Sequence, residues 1–260
     1  MQEAGVAQDA RSVTILSRGM YQSLAMNGLE WLHSRSWDEW TVRERVTIEG
    51  SDLFLEALGE GKGAILVTGH LGNWELMLLA LRIHTGQSLA AVMAETRNAQ
   101  LDHWLKRMRE QSGHTIISHK TALIGMVRHL RRGGLLAMLA DQDSTRGRGV
   151  FVDFFGKPAY TPAGPAHLAH RMGVPIIPMT MLRREDDPRR HHYRIHAPIH
   201  ADPAADQESE IRRITQLYTK VLEEQIRKAP AQWVWIHERW RHSPGQKVRV
   251  RSAGGKLRQA

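Results

Sequence analysis

The chain has 260 residues, a formal net charge of +9 and no cysteine. Its length suits one large domain or two small ones, and 42% hydrophobic with 24% charged residues is the balance of a globular protein rather than a disordered one. The lack of cysteine excludes a disulfide framework, a thiol nucleophile and a thiolate metal site. The positive charge indicates an anionic partner, but it does not choose among nucleic acid, a membrane surface, an acidic carrier protein and a phosphorylated substrate.

Neither a membrane span nor a secretory signal is recognisable in the sequence. Spanning a bilayer takes about 20 consecutive apolar residues, whereas the longest candidate run, residues 74–83, is interrupted by Glu75 and Arg82. The first residues lack the basic start and apolar core of a secretory signal. We therefore expect a soluble or peripheral protein.

Residues 9–33 are predicted to form one amphipathic helix, because apolar side chains recur there at helical spacing. The apolar stripe consists of Val13, Leu16, Met20, Leu24 and Trp31. Arg11 and Arg18 lie off the stripe. Two interpretations remain open: the helix packs on the domain, or it lies at a lipid interface as basic amphipathic helices do.

From residue 45 onward, short apolar runs alternate with segments of helical periodicity. The predicted strands are residues 46–48, 64–68, 89–93, 115–117, 135–139 and 174–179. The predicted helices are residues 52–58, 74–84, 99–111, 123–132, 163–172 and 206–228. Continuous apolar strands between helices predict an α/β fold, with a mostly parallel central sheet and helices on both faces.

The C-terminal residues differ from this pattern. Alternating aromatic residues over 232–236 predict a strand or a packed extended segment. Residues 245–260 contain five basic residues and no acidic one, which indicates a flexible tail held near anionic head groups. We therefore expect residues 1–244 to form a single domain.

A histidine and a glutamate stand five residues apart in the segment Gly69-His70-Leu71-Gly72-Asn73-Trp74-Glu75. The spacing alone carries little weight, because a second match begins at His33. His70, however, directly follows a predicted buried strand, and Asn73 is suited to cap the next helix. Glu75 then lies in the first helical turn, where the imidazole can fold back onto its carboxylate.

This arrangement suits acid–base chemistry. A neutral imidazole removes a proton from a hydroxyl, and a carboxylate on its other nitrogen fixes the tautomer and stabilises the imidazolium. Open α/β sheets also bind ligands beyond the carboxyl ends of their strands. The alternative is structural, with His70 capping its own turn and Glu75 an ordinary acid of the first helical turn.

The segment around His70 resembles the motif of the bacterial lipid A biosynthesis acyltransferases, the late lauroyl and myristoyl transferases. Four further blocks follow in the family's order. They are residues 97–102 with Arg107 and Arg109, residues 134–143, residues 151–164 and residues 229–241. The resemblance covers residues 10–244 and implies a glycerolipid-acyltransferase-like fold.

The resemblance implies transfer of a fatty acyl group from acyl carrier protein to a hydroxyl of a lipid A precursor. It places this reaction at the cytoplasmic face of the bacterial inner membrane. The expected partners are acyl carrier protein, an anionic lipid acceptor and the membrane surface, with no nucleic acid, no metal and no cofactor. Family members usually begin with a membrane-spanning helix that this sequence lacks, so we expect peripheral docking or an anchor that was left out.

The resemblance also assigns roles to residues. His70 is the expected general base, Glu75 its partner, and Arg109 the cation that stabilises an oxyanion or grips a phosphate. The residues expected to bind substrate are Asn73, Arg97, Arg107, Asp141, Gln142, Asp143, His237 and Arg239. For the two aspartates, a capped turn after a strand and a metal site remain as alternatives.

One departure from the family pattern and two rival functions stay open. Glu238 occupies a position where the family commonly has arginine, which makes a different acceptor plausible, such as a lyso-phospholipid or a glycosyl lipid. A basic nucleic-acid-binding protein would explain the charge but not the five ordered blocks. The other rival is a non-catalytic lipid binder. His191 and His192, in the basic segment 183–194, are expected to be solvated.

Overall fold

The computed structural model describes residues 1–59, 61–93, 98–118, 122–144, 149–245, 249–251 and 257–259. Its helices are α1 (Ala10–His33), α2 (Glu39–Arg45), α3 (Ser51–Gly59), α4 (Trp74–Thr85), α5 (Ala99–Gln111), α6 (Ala122–Arg131), α7 (Gly164–Met172) and α8 (Gln207–Lys228). Its strands are β1 (Val46–Glu49), β2 (Ala64–Thr68), β3 (Leu89–Met93), β4 (Thr115–Ser118), β5 (Leu135–Leu139), β6 (Gly149–Phe154), β7 (Lys157–Pro162), β8 (Ile176–Arg183), β9 (His191–Ile195), β10 (Arg249–Arg251) and β11 (Leu257–Gln259). The strands β2, β3 and β5 have the bounds that the sequence predicts.

Seven strands form the central sheet, in the order β1-β9-β8-β2-β5-β3-β4. All neighbouring pairs run parallel except β8 and β9, which are antiparallel. All five residues of the central strand β2 are buried, as expected for an apolar strand in a sheet covered on both faces. The predicted mostly parallel sheet is confirmed.

Successive residues of β2 point to opposite faces of the sheet, and helices cover each face. Ala64 and Leu66 belong to a core that includes residues of α2, α3 and α4. Ile65 and Val67 belong to a second core with residues of α6, α7 and α8. The predicted α/β architecture is confirmed, whereas its likeness to glycerolipid acyltransferases stays a prediction.

The N-terminal helix α1 is also confirmed. Asp9 caps it, since its carboxylate accepts a hydrogen bond from the backbone N–H of Ser12 at 2.7 Å. The predicted apolar stripe faces the protein and is half-buried or buried. A second set of apolar side chains faces outward, consisting of Ile15, Tyr21, Met26, Leu29 and Leu32. Among the described residues, no helix is both long and apolar enough to cross a membrane.

Among the described residues before the C-terminal tail, the sequence prediction missed the helix α2, the hairpin of β6 and β7, and the strand β9. In the hairpin, the turn residues Phe155 and Gly156 both have positive φ angles, 58° and 75°. Such turns favour Asn-Gly or Asp-Gly at these positions, so Phe-Gly is a weak signal for a hairpin. The residue types at this turn therefore did not predict a hairpin.

The strand β9 overturns the expectation for His191. This strand lies between β1 and β8, so alternate residues point into the protein, and the side chain of His191 has 0% exposure. His192 faces outward as predicted. The prediction failed for His191 because a buried carboxylate, that of Glu30, pairs with Nε2 of its imidazole, and this partner lies 161 residues away in the sequence.

The C-terminal tail predicted to be flexible contains two short strands. Arg249–Arg251 pairs with Leu257–Gln259 in an antiparallel ladder. The flexibility of residues 245–260 stays a prediction.

Candidate active site

His70 lies in the turn between β2 and α4, and the backbone of this turn is closely held. Gly72 has φ 56°, and a Cβ there would lie 1.7 Å from the carbonyl oxygen of Met181 in β8, so only glycine fits. The N–H of Gly72 donates to the carbonyl of Gln232 at 2.9 Å, and the N–H of Val234 donates to the carbonyl of His70 at 3.1 Å. The turn is therefore fixed between β8 and residues 229–242, the C-terminal segment that follows α8.

The carboxylate that contacts His70 belongs to Asp141, which follows the neighbouring strand β5. His70 Nδ1 lies 2.9 Å from Asp141 Oδ1, and the backbone N–H of His70 donates to Oδ2 at 2.6 Å. The indole of Trp233 donates to Oδ2 at 2.8 Å. A Cβ on Gly69 would come within 2.9 Å of the Asp141 carboxyl group, so this glycine makes room for it. The carboxyl ends of two parallel strands thus bring the pair together.

The electrostatics of the pair favour a base held by an ionised acid. Burial by itself raises the pKa of Asp141, but the charge of His70 and the hydrogen bonds from His70 and Trp233 outweigh it and lower the pKa. Burial lowers the pKa of His70, and the carboxylate of Asp141 more than compensates, so that the pKa is raised. Each partner therefore stabilises the charged form of the other.

The predicted contact between His70 and Glu75 is wrong. Both oxygens of Glu75 accept from Arg109 instead, Oε2 from Nε at 3.0 Å and Oε1 from an Nη at 2.5 Å. Within the described residues, no hydrogen bond joins Glu75 to His70, although the Glu75 charge contributes to raising the pKa of His70. The first turn of α4 directs Glu75 towards α5, while Asp141 occupies Nδ1 of the imidazole.

The three arginines expected in this region have different outcomes. Arg109, on α5, is brought to the site by its bidentate pair with Glu75. Arg107 is exposed on the same helix, and no hydrogen bond or ion pair of its side chain is seen within the described residues. Arg97 lies outside the described residues. The structure therefore brings Arg109, and not Arg107, next to the helix that follows the turn of His70.

The side chain of Asn73 is hydrogen-bonded to other parts of the protein. Its Oδ1 accepts from the backbone N–H of Leu76 at 3.1 Å, which is the predicted helix cap. Its Nδ2 donates to Glu30 Oε2 at 2.8 Å. The side chain is buried and both of its polar atoms are hydrogen-bonded within the protein, while its predicted contact with substrate stays a prediction.

Asp143, two residues after Asp141, holds two histidines of the C-terminal segment. Its backbone N–H donates to Nε2 of His237 at 2.8 Å, and its two carboxylate oxygens lie 2.8 and 2.9 Å from Nδ1 of His242. Burial lowers the pKa of His237. Gln142, between the aspartates, is half-buried. The sequence offered no signal for His242, since it lies 99 residues from its partner.

Arg239 is buried beneath the same segment. One Nη donates to the carbonyl of Tyr160 at 3.0 Å, another to the hydroxyl of Thr161, and the guanidinium stacks 5.0 Å from the centre of the Phe154 ring. Burial lowers its pKa to about 10. These contacts anchor the C-terminal segment to β7, and they leave Arg239 only 2% exposed.

The relatives of the chain agree on one kind of chemistry. Residues 8–242 match the family model of bacterial lipid A biosynthesis acyltransferases. The chain is 25% identical to the lipid A biosynthesis palmitoleoyltransferase of Escherichia coli over 230 residues, 87% of this chain and 70% of that protein. It is 28% identical to the phosphatidylinositol mannoside acyltransferase of Mycobacterium tuberculosis over 198 residues, 74% of this chain and 59% of that protein. The lipid A biosynthesis lauroyltransferase of Escherichia coli is 25% identical over 226 residues, 86% of this chain and 71% of that protein.

The family match extends from just before α1 to His242 and includes every site residue described above. It confirms the resemblance inferred from the ordered sequence blocks. The turn between a buried strand and a capped helix, with its histidine held by a buried aspartate, lies within the matched region. The chain belongs to the bacterial lipid A biosynthesis acyltransferase family.

Proposed function

We propose that the chain transfers a fatty acyl group from acyl carrier protein to a hydroxyl of a membrane glycolipid, with a lipid A precursor as the first candidate acceptor. The observation that carries the proposal is the hydrogen bond between His70 Nδ1 and Asp141, which leaves the other imidazole nitrogen available. Membership in an acyltransferase family supplies the reaction class. The identities of the acyl donor and of the acceptor are part of the proposal.

The geometry of His70 suits a general base. With Asp141 accepting at Nδ1, the neutral imidazole carries its proton there and has its lone pair on Nε2. No described residue occupies Nε2, and 27% of the side chain is exposed. Nε2 takes the proton of the acceptor hydroxyl as its oxygen attacks the thioester carbonyl carbon. The C–S bond then breaks and the imidazolium returns the proton to the leaving thiolate.

Arg109 is the proposed electrophilic group. Its guanidinium uses Nε and one Nη on Glu75, and the other Nη has no partner among the described residues. A cation held in this way can stabilise the oxyanion that forms on the thioester carbonyl, or bind a phosphate of the acceptor. Glu75 then acts by orienting Arg109 rather than by assisting His70.

A glycosyl lipid is the second candidate acceptor. The phosphatidylinositol mannoside acyltransferase among the relatives favours it, because that protein's name specifies a mannosylated lipid. Both candidate acceptors combine a sugar hydroxyl with an anionic head group. The net charge of +9 suits either of them, as well as an acidic carrier protein.

We also propose that the protein docks on the cytoplasmic face of the inner membrane. The outward face of α1 exposes Ile15 and Leu29, and Trp31 of the same helix meets Trp104 of α5 edge to face, with ring centroids 5.6 Å apart. Trp104 is itself exposed, and Arg18 and Lys106 lie on these two helices. On α1 itself, Ile15, Leu29 and Arg18 share the outward face, and a helical face that combines apolar and basic side chains favours binding to anionic lipid.

The test offers purified protein a labelled acyl carrier protein thioester together with a lipid A precursor, a phosphatidylinositol mannoside, a lyso-phospholipid or no acceptor. We expect transfer to one of the two glycolipids and its loss in His70→Ala, but not in the control variant His192→Ala, whose imidazole is exposed on β9. Transfer that survives in His70→Ala would overturn the mechanism. Transfer to the lyso-phospholipid alone would overturn the acceptor, and duplex binding without transfer would favour the nucleic-acid rival.

A further inference from the structure

The inward face of α1 carries a buried glutamate directly beneath the catalytic turn. Glu30 Oε2 accepts from Asn73 Nδ2 at 2.8 Å, from an Nη of Arg183 at 2.7 Å and from Nε2 of His191 at 2.9 Å. These three partners belong to the turn before α4, to β8 and to β9. One carboxylate therefore joins the N-terminal helix to the turn and to two strands of the sheet.

Asn27, three residues earlier on α1, holds the preceding residue of the same turn. Its Nδ2 donates to the carbonyl of Gly72 at 2.7 Å, and its Oδ1 accepts from Arg183 at 2.9 Å. Residues three apart on a helix lie on one face. Asn27 and Glu30 thus contact two consecutive residues of the turn, Gly72 and Asn73, from a single helical face.

The charge of Glu30 is what organises this cluster. Burial by itself raises the pKa of Glu30, but hydrogen bonds and charges from His191 and Arg183 outweigh it and lower the pKa to about 2. The side chain is 9% exposed. Among the described residues, Arg183 and His191 form ion pairs with no carboxylate other than Glu30, so its loss removes the one acidic partner that serves both side chains. Removing a partner from a buried charged pair is strongly destabilising.

The cap connects this cluster to the chemistry. Asn73 holds the backbone N–H of Leu76 with its Oδ1 and Glu30 with its Nδ2, so the position of Glu30 bears on the first turn of α4. That first turn carries Glu75, which orients Arg109. His70 lies three residues before Asn73 in the same glycine-containing turn. A shift of this turn would therefore move both the base and the arginine partner.

We infer that Glu30 is a positioning residue of the acyl transfer, which acts from α1 by holding the turn that carries His70 and Glu75. This inference rests on the proposed function. It also assigns α1 a role within the active-site framework, separate from any contact of its outer face with lipid. Glu30 touches neither the open side of His70 nor Arg109, so it acts through Asn73.

The main variant is Glu30→Ala. We expect kcat to fall roughly 10- to 100-fold, the size of loss that a misplacement of about 1 Å can cause. KM should change less than threefold, because substrate contacts are not removed. Glu30→Gln keeps one oxygen for Asn73 and His191 but loses the charge, so its kcat should lie between those of wild type and Glu30→Ala.

The chain contains a matched control in Glu49. Its Oε2 accepts from Nε2 of His192 at 2.8 Å and from Arg194 at 2.8 and 3.1 Å, so its partners are again one histidine and one arginine. Its side chain is 53% exposed, however, and it lies at the edge of the sheet. Glu49→Ala should leave kcat, KM and the stability of the fold within experimental error.

A second readout does not depend on turnover. The charged groups facing His70 are Asp141, after β5, and Glu75, on α4, with Arg109 beyond Glu75. If the turn moves away from Asp141, the pKa of His70 should fall from its raised value. NMR titration of labelled histidine, with His70 assigned from the missing signal in His70→Ala, should show this fall in Glu30→Ala and not in Glu49→Ala.

The two readouts separate the possible failures. Wild-type protein that acylates no acceptor would overturn the proposed function, while the titration would still decide the role of Glu30. An unchanged kcat and an unchanged His70 titration in folded Glu30 variants would overturn the positioning role. Equal losses in the Glu30 and Glu49 variants would do so as well. If Glu30→Ala fails to fold, Glu30→Gln provides the same comparison.

Discussion

Asp141 and Asp143 lie two residues apart after β5, and each holds a histidine by its Nδ1, yet the two pairs have different surroundings. The Asp141 pair joins two neighbouring strand ends, and its histidine, His70, is 27% exposed. The Asp143 pair ties the C-terminal segment to the sheet, and its histidine, His242, is 10% exposed and packs 5.5 Å from the ring of Tyr160. The same hydrogen bond thus holds the proposed base in one place and fixes the C-terminal segment to the sheet in the other.

The difference teaches that a histidine–aspartate contact alone does not identify a catalytic base. At Asp141, both oxygens are engaged by the turn and by Trp233, which fixes the carboxylate while the far nitrogen of the imidazole stays accessible. At Asp143, both oxygens face one imidazole nitrogen. Variants of the two aspartates and their neighbours should therefore separate effects on rate from effects on stability.

The largest effect is expected for Asp141→Asn. The substitution keeps the size of the side chain but removes the charge that stabilises the imidazolium, and loss of the equivalent carboxylate in catalytic triads lowers kcat by about 10⁴. We expect a loss of roughly 10³- to 10⁴-fold in acyl transfer. The matched variant Asp143→Asn should retain activity within about tenfold. Equal losses in both variants would show that the two pairs are not functionally distinct.

Glu75→Gln should have the next largest effect. The neutral amide loses one of the two acceptors of Arg109, so the guanidinium is no longer fixed beside the turn. Removing one oxyanion-stabilising group typically costs 10²–10³ in kcat, and we expect about 10²-fold. Glu110→Gln, which disturbs only the exposed pair with Lys106 on the same helix, is the control. Activity unchanged in Glu75→Gln would contradict the role of Arg109.

The pH dependence should distinguish the pairs without requiring a large change in rate. His70 must be neutral to act as a base, so wild-type kcat should fall as the pH drops through the raised pKa of His70. In Asp141→Asn the carboxylate that raises the pKa of His70 is gone, while the burial that lowers it remains. The fall of kcat at acidic pH should therefore move to lower pH. Asp143→Asn should not change the pH at which kcat falls. If Asp141→Asn left the acidic fall of kcat unchanged, a group other than His70 would be responsible for it.

The raised pKa of His70 also makes the stability of the fold depend on pH. The folded state raises the pKa of His70, so the pair stabilises the fold most below the ordinary pKa of histidine. This contribution is lost as the pH rises through the raised value. Denaturant unfolding of wild type and His70→Ala at several pH values should show their difference narrowing towards alkaline pH. A constant difference would indicate packing rather than charge.

The smallest effect on rate is expected for His242→Ala. Its removal leaves the buried Asp143 carboxylate without its side-chain partner, which typically costs about 1–3 kcal/mol of stability. We expect a lower midpoint in urea unfolding and acyl transfer within about threefold of wild type at a temperature where both are folded. A loss of activity as large as that of Asp141→Asn would identify His242 as a second functional histidine.

Local pattern predicted much of the architecture. The bounds of β2, β3 and β5 agree because five-residue apolar runs next to helical segments have few alternative structures. The Asn73 cap agrees because its side-chain chemistry acts within three residues. β9 was missed because its buried positions include a histidine, whose burial depends on Glu30, 161 residues away.

By itself, the sequence determined the α/β class, the helix α1, the glycine turn with its histidine, and the family. These depend on periodicity, on local capping and on ordered motifs. Only the tertiary structure decided which carboxylate serves His70. Asp141 lies 71 residues away in sequence, but hydrogen bonding of β2 to the parallel strand β5 brings their carboxyl ends together. Glu75, although close in sequence, is directed to Arg109 because the helix starts between them and turns its side chain towards α5.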